Sequence, residues 1–211
     1  MRYRIPERKG SDMASSYGTD ASKASLRDGY LRLCEDMPRD FSNRIDEQVR
    51  RMFGRLDWYR DANLILGYLP IHEEIDTLPL IEDAFAAGNR VALPFLDERA
   101  RAMRWYEMDS VQAISRGSRG IATVPEGVRA LGGADMLGSL CLVPGLVFDA
   151  QGYRVGYGAG YYDEFLAFYP GDKVGLVRSV QVSSNPLPHD DHDIPVDVLV
   201  TEGSIWQCRR V

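Results

Sequence analysis

The stretch from Leu142 to Phe165, LVPGLVFDAQGYRVGYGAGYYDEF, constrains this chain more than any other. The apolar run Leu140 to Val143 predicts a buried strand, ended by the Pro144-Gly145 step. Leu146, Val147 and Phe148 resume the apolar pattern before a turn at Asp149-Ala150-Gln151-Gly152. Glycines recur at 156, 158 and 160, and Tyr161-Tyr162-Asp163 leads into a helix carrying Phe165, Leu166 and Phe168. Strand, glycine loop and helix in that order can cradle phosphate. Without Cβ atoms the backbone N–H groups approach an anion closely, and a helix dipole adds to the attraction. The G-x-G-x-G spacing is neither the dinucleotide G-x-G-x-x-G nor a G-x-x-x-x-G-K-[ST] loop. A tight turn needing positive φ would use glycines equally well. The flanking residues tip the reading toward chemistry: Arg154 offers a cation to phosphate oxygens, and Asp163 offers Mg²⁺ a hard oxygen ligand.

The rest of the chain supplies a scaffold. Residues 1–20 are polar, basic at the start and without an apolar signal-peptide core, so they are expected to form a flexible extension. Ala21 to Asp36 reads as a helix that puts Lys23 and Arg27, four apart, on one face. After Pro38, Asp40 or Ser42 can cap a second helix whose Phe41, Ile45, Val49, Phe53 and Leu56 follow the helical period as core. Asn63 to Tyr68 predicts a buried strand, Leu80 to Phe85 a helix stopped by Gly88, and Arg90 to Leu93 a strand closed by Pro94. That β-α-β unit implies parallel strands, with Glu74 at the edge where ligands gather. Met103 to Tyr106, Val174 to Val177 and a terminal strand within Ile194 to Thr201 complete the sheet, and Ser115 to Gly133 is read as a long loop.

Composition narrows the function classes. A chain of 211 residues, 45% hydrophobic and 27% charged, has the make-up of a globular domain, and its net charge of −6 argues against nucleic-acid binding. No apolar run reaches the roughly 20 residues of a membrane span. Cys34, Cys141 and Cys208 are odd in number and far apart, which points to a reducing, cytoplasmic setting. His189-Asp190-Asp191-His192-Asp193 suggests a metal site, but neighbours in an extended loop point apart, so zinc is disfavoured against one Asp serving Mg²⁺.

Together these blocks resemble the 5-formyltetrahydrofolate cyclo-ligase family, also called methenyltetrahydrofolate synthetases. The resemblance is carried by VPGLVFDAQGYRVGYGAGYYD, with Lys23-x-x-x-Arg27, Glu74-Ile75-Asp76-Thr77, Gln181 and His192-Asp193-Ile194-Pro195-Val196-Asp197 in the family's order. It implies a single-domain α/β fold over residues 21–211, three-layer α/β/α around a mostly parallel, Rossmann-like sheet. It also implies ATP- and Mg²⁺-dependent conversion of 5-formyltetrahydrofolate to 5,10-methenyltetrahydrofolate by a monomer. By the same resemblance Lys23, Arg27, Arg154, Gly156, Gly158, Gly160 and Tyr162 would contact ATP. Leu69, Glu74, Tyr157, Gly158, Gly160 and Tyr161 would contact the reduced folate, and Asp163 and Asp193 would hold the metal. Lys23, Arg154 and Tyr161 would serve catalysis.

Three departures from the family pattern stand out: Glu164 after Tyr-Tyr-Asp, the loop Gly120-Ile121-Ala122-Thr123-Val124-Pro125, and Arg178 where relatives tend to carry a smaller or aromatic residue. They leave open a paralogue that spends ATP on another N-formyl compound, or an inactive nucleotide-binding regulator.

Overall fold

A computed structural model describes residues 19–97, 102–110, 115–116, 122–123 and 128–208, so the expected 1–20 extension lies almost wholly outside the described residues. The chain opens with three helices, α1 (Thr19–Glu35), α2 (Arg39–Phe53) and α3 (Asp57–Asp61), followed by β1 (Leu64–Leu66) and α4 (Leu78–Ala86). Next come β2 (Arg90–Asp97), β3 (Ala102–Met108), β4 (Ser115–Arg116), β5 (Ala122–Thr123) and β6 (Leu140–Val143). The last part holds β7 (Val147–Phe148), β8 (Arg154–Val155), α5 (Tyr161–Leu166), β9 (Asp172–Leu176), β10 (Val198–Val200) and β11 (Ile205–Gln207).

The main sheet has seven strands in the order β11-β10-β9-β6-β1-β2-β3. Its centre is parallel from β10 to β2, and antiparallel β11 and β3 close the edges. Alternation splits the apolar strands between two faces. Leu64, Leu66, Cys141, Val143 and Leu199 join the cluster that α5 covers with Leu166. Leu140, Leu142, Val198 and Val200 pack under Ile45, Val49 and Phe53 of α2, while Ile65, Val91 and Leu93 meet Ile81 and Ala84 of α4. Helices on both faces give the expected three-layer α/β/α fold. The central strands are buried on both sides, so truncating a residue such as Leu142 to alanine is expected to cost about 2–5 kcal/mol.

Four local readings need correction. Neither Asp40 nor Ser42 caps α2; the helix starts at Arg39 straight after Pro38, and the Ser42 hydroxyl donates back to the Arg39 carbonyl at 3.0 Å. Phe41 is exposed, so the apolar stripe begins at Ile45 and carries a buried Asp46 within it. Pro94 does not close β2. The Gly67 N–H donates to the Ala92 carbonyl, which fixes the side of β2 that faces β1. By alternation the Pro94 nitrogen points the same way, beyond the last paired residue of β1, where no N–H is needed. Finally, the 194–201 strand is not terminal: the chain turns at Glu202-Gly203 and returns as β11.

Candidate active site

The strand order places a crevice at the centre of the sheet. From β1 the chain passes to β2 on one side, whereas β6, β9 and β10 lie on the other. Ligands of open α/β sheets gather outside the C-terminal strand ends at such a reversal. A cavity of about 560 Å³ occupies this place, bounded by Ile71 and Glu74 after β1, Leu96 at the end of β2, and Pro144 and Gly145 after β6. Every site residue singled out from the sequence lines it except Leu69, which packs against the Ile65, Ile81 and Leu93 cluster.

The glycine loop leaves β8, which pairs with β7 in a small antiparallel hairpin beside the main sheet. Behind the loop, α5 is only six residues long and Phe168 lies outside it, so the expected helix dipole is slight. Charge in this part of the cavity comes from side chains. Gly158 has φ +93, and a Cβ there would stand 2.9 Å from Nη2 of Arg27. Only glycine satisfies both the backbone and that close approach. Arg27 in turn donates from Nε to the Gly156 carbonyl at 2.8 Å, so α1 is latched to the loop.

The ionic side chains hold one another. Lys23 Nζ lies 2.6 Å from Asp193 Oδ2 and 2.7 Å from Asp190 Oδ2. Burial lowers its pKa, but the two carboxylates outweigh that effect and raise it overall. Arg154, with its side chain 5% exposed, donates from Nη1 to the Ile194 carbonyl at 2.7 Å and from Nη2 to Asp163 Oδ1 at 2.9 Å. Asp163 Oδ1 also accepts the Ile194 N–H at 3.1 Å, and Asp193 Oδ2 accepts the Asp190 N–H at 2.7 Å. The segment from Asp190 to Ile194 therefore knits α1, β8 and α5 together.

Glu74 has a different setting. Its Oε2 accepts the Ile71 N–H at 3.0 Å, a bond inside its own loop. Desolvation pushes its pKa up to about 7 against the lowering effect of that bond. Tyr157 reaches across with its hydroxyl 3.4 Å from the Ile71 carbonyl, and its ring lies over His72 with centroids 5.3 Å apart. Tyr162 presses edge-on toward Trp105, and desolvation holds its hydroxyl well above the usual tyrosine range.

Other features singled out in the sequence lie around this cavity or outside the described residues. Glu164 is exposed and stays outside the cavity lining. His189 stacks on Tyr153 with ring centroids 3.7 Å apart and gathers no ligand set. Among the described residues no group of three or more His, Cys, Asp or Glu side chains comes together for a metal. Of the 120–125 loop, Ala122 and Thr123 pair with β4, and the remainder lies outside the described residues. Sequence reasoning missed the apolar lining of Ile71, Leu96, Met103 and Pro144. The hydrophobic pair at the two ends of the β2–β3 connection was the available signal.

A profile of the 5-formyltetrahydrofolate cyclo-ligase family matches residues 19–202. The chain belongs to this family. That membership makes it a ligase of folate one-carbon chemistry. It is 30% identical to the 5-formyltetrahydrofolate cyclo-ligase of Escherichia coli K12 over 153 residues, covering 69% of this chain and 81% of the relative. The Saccharomyces cerevisiae cyclo-ligase is 29% identical over 212 residues, covering 88% and 98%. The NMR structure of 5,10-methenyltetrahydrofolate synthetase from Aquifex aeolicus superposes with a TM-score of 0.77 at 32% identity, covering 90% of this chain and 94% of that one. Among the described residues no helix is long and apolar enough to cross a membrane.

Proposed function

We propose that this chain uses ATP to convert 5-formyltetrahydrofolate into 5,10-methenyltetrahydrofolate, releasing ADP and phosphate. One observation carries the reading: a single cavity at the sheet reversal brings a glycine loop, three cations and two carboxylates beside one desolvated Glu74. A formamide oxygen leaves poorly, and transfer of the γ-phosphoryl group to it makes a leaving group of phosphate. N10 then attacks the activated carbon, the C–O bond breaks, phosphate departs, and N10 gives up its proton.

Such phosphoryl transfer depends on positioning and charge neutralisation. Lys23, Arg27 and Arg154 neutralise the phosphates, and the backbone from Gly156 to Gly160 approaches them closely. Lys23 must exchange one of its carboxylate partners for a phosphate oxygen, a trade between comparable charge-assisted bonds. The donor set also fits Mg²⁺. The hydrogen bonds of Asp163 fall on Oδ1 and those of Asp193 on Oδ2, leaving one oxygen of each for a hard cation that keeps its other sites for water and phosphate. When bound there, held by Asp163 and Asp193, the ion would offset the negative charge of the phosphates. Glu74 accepts N–H donors of the pterin, and Tyr157 and Tyr161 offer flat apolar contact. Holding the folate against the loop raises the effective concentration of N10 at the activated carbon.

The test is direct. Purified protein with ATP, Mg²⁺ and 5-formyltetrahydrofolate is expected to form the methenyl product, followed by its near-ultraviolet absorbance, with one ADP per turnover. ATP binding without any product would overturn the reading and point to another N-formyl compound.

A further inference from the structure

Arg178 leaves the end of β9 and turns inward, 2% exposed, toward an equally buried Asp46 on α2. Its Nε and Nη2 donate to Asp46 Oδ1 and Oδ2 at 2.7 and 2.8 Å, a two-point fork. That pairing uses two nitrogens and neutralises the charge. The third nitrogen, Nη1, is directed elsewhere: it donates to the carbonyl of Glu73 at 2.9 Å and approaches Gln181 Oε1 at 3.4 Å. Gln181 passes the connection on, donating from Nε2 to the Leu146 carbonyl at 2.9 Å, next to Gly145 in the cavity lining. One buried guanidinium thus ties the residue before Glu74 to the segment after β6.

The loop it grips needs an outside hold. Its Glu74–Ile71 bonds are internal, and the hydroxyls that reach it from outside make long contacts, Tyr157 with the Ile71 carbonyl at 3.4 Å and Tyr68 with the Ile75 carbonyl at 3.3 Å. At its crest His72 has φ +50, a left-handed conformation that is strained for a non-glycine residue and persists only where surrounding contacts over-determine it. At the far end Thr77 donates to the Tyr68 carbonyl at 2.5 Å and Arg50 to the Asp76 carbonyl at 3.0 Å. Between these points the charged donor next to Glu74 is Arg178.

We propose that Arg178 is a positioning residue for substrate recognition: anchored by Asp46, it fixes the Glu73 carbonyl and thereby aims the Glu74 side chain into the cavity. This rests on Glu74 being the folate-binding carboxylate. Arg178 acts from behind the loop and touches neither substrate.

Removing Arg178 alone would strand a buried Asp46 charge, so the test replaces both partners, as Arg178→Met with Asp46→Leu, which keeps the interior neutral. The folded double variant is expected to exchange the backbone amides of residues 71–76 faster than the parent. Its KM for 5-formyltetrahydrofolate is expected to rise about tenfold, the worth of one hydrogen bond from a charged donor, with the KM for ATP unchanged. In a Glu74→Ala background the same replacement should leave the folate KM where it is. Arg178→Lys, which keeps the charge pair but not the fork, should give the same pattern with smaller amplitude. Parental amide exchange with parental folate KM in a folded variant overturns the proposal, and so does an undiminished rise on top of Glu74→Ala. If the parent protein fails to bind 5-formyltetrahydrofolate, the functional reading falls, while the amide exchange of residues 71–76 still decides whether Arg178 positions the loop.

Discussion

Lys23, Arg154, Asp163 and Asp193 hold one another in pairs, whereas Glu74 sits in the same cavity with, among the described residues, a single loop N–H for company. The charged half of the lining is satisfied before any ligand arrives. The polyanion binding proposed for this half would exchange one set of ionic partners for another, gaining in geometry more than in net charge pairing. The Glu74 half is the reverse. Its carboxylate has been partly stripped of water without being given a cation, which leaves it eager for N–H donors and sensitive to pH. One half is organised by mutual attraction, the other by desolvation.

Substitutions can break that contrast. The largest effect is expected from Asp163→Asn, which keeps the shape and the acceptor for Arg154 but removes the carboxylate proposed to hold Mg²⁺. Turnover should fall by about 100- to 1,000-fold, read as kcat with saturating ATP. Next, Lys23→Met removes a cation whose two carboxylate partners then face each other unneutralised. The KM for ATP should rise by roughly tenfold or more while the folate KM stays put.

Glu74→Gln sharpens the other half. In the parent, kcat/KM for 5-formyltetrahydrofolate should rise with pH through about 7 as Glu74 ionises, and the glutamine variant should lose this limb. Stability should follow the same titration. The folded pKa near 7 lies above the ordinary 4.5, so the native state binds the extra proton between these values and the parent loses stability as pH rises through that window. The variant lacks that slope, and the gap in Tm between the two should change steadily in its favour toward pH 7. The smallest effect belongs to Tyr157→Phe, because a 3.4 Å hydroxyl contact is long; folate KM should move by less than about twofold.

The same contrast sets how much could be read from the sequence. In the charged half Arg154 and Asp163 stand out because they flank a glycine loop, whereas Lys23 and Asp193, distant in sequence, are singled out only through the family resemblance. The apolar half is less legible: Ile71, Leu96 and Met103 look the same in sequence whether they face a cavity or the core, and Leu69 packs against the core where Ile71 lines the space. The parallel core is legible in the β1-α4-β2 unit, whose two strands are apolar runs buried on both faces. Edge strand β11 escaped because Ile205 to Gln207 is too short and too half-buried to show a period. Arg178 stood out only as a departure. Its partner Asp46 lies 132 positions away, inside an apolar stripe, where an isolated acidic residue at the helical period was the one available clue.

The link from Lys23 to Asp190 and Asp193 joins residues 167 and 170 positions apart, and Arg27 reaches its loop across 129. A chain made from its N-terminus therefore emerges with these two cations long before anything exists to receive them. Closing such distant contacts carries the full loop entropy before it returns any bonding, which puts the step late in folding. The sheet can assemble from neighbouring strands while α1 still lacks its seat. Completion of the ionic half is thus a natural marker of a nearly finished molecule: Lys23 has neither of these carboxylates to meet until all the strands but β10 and β11 have been made.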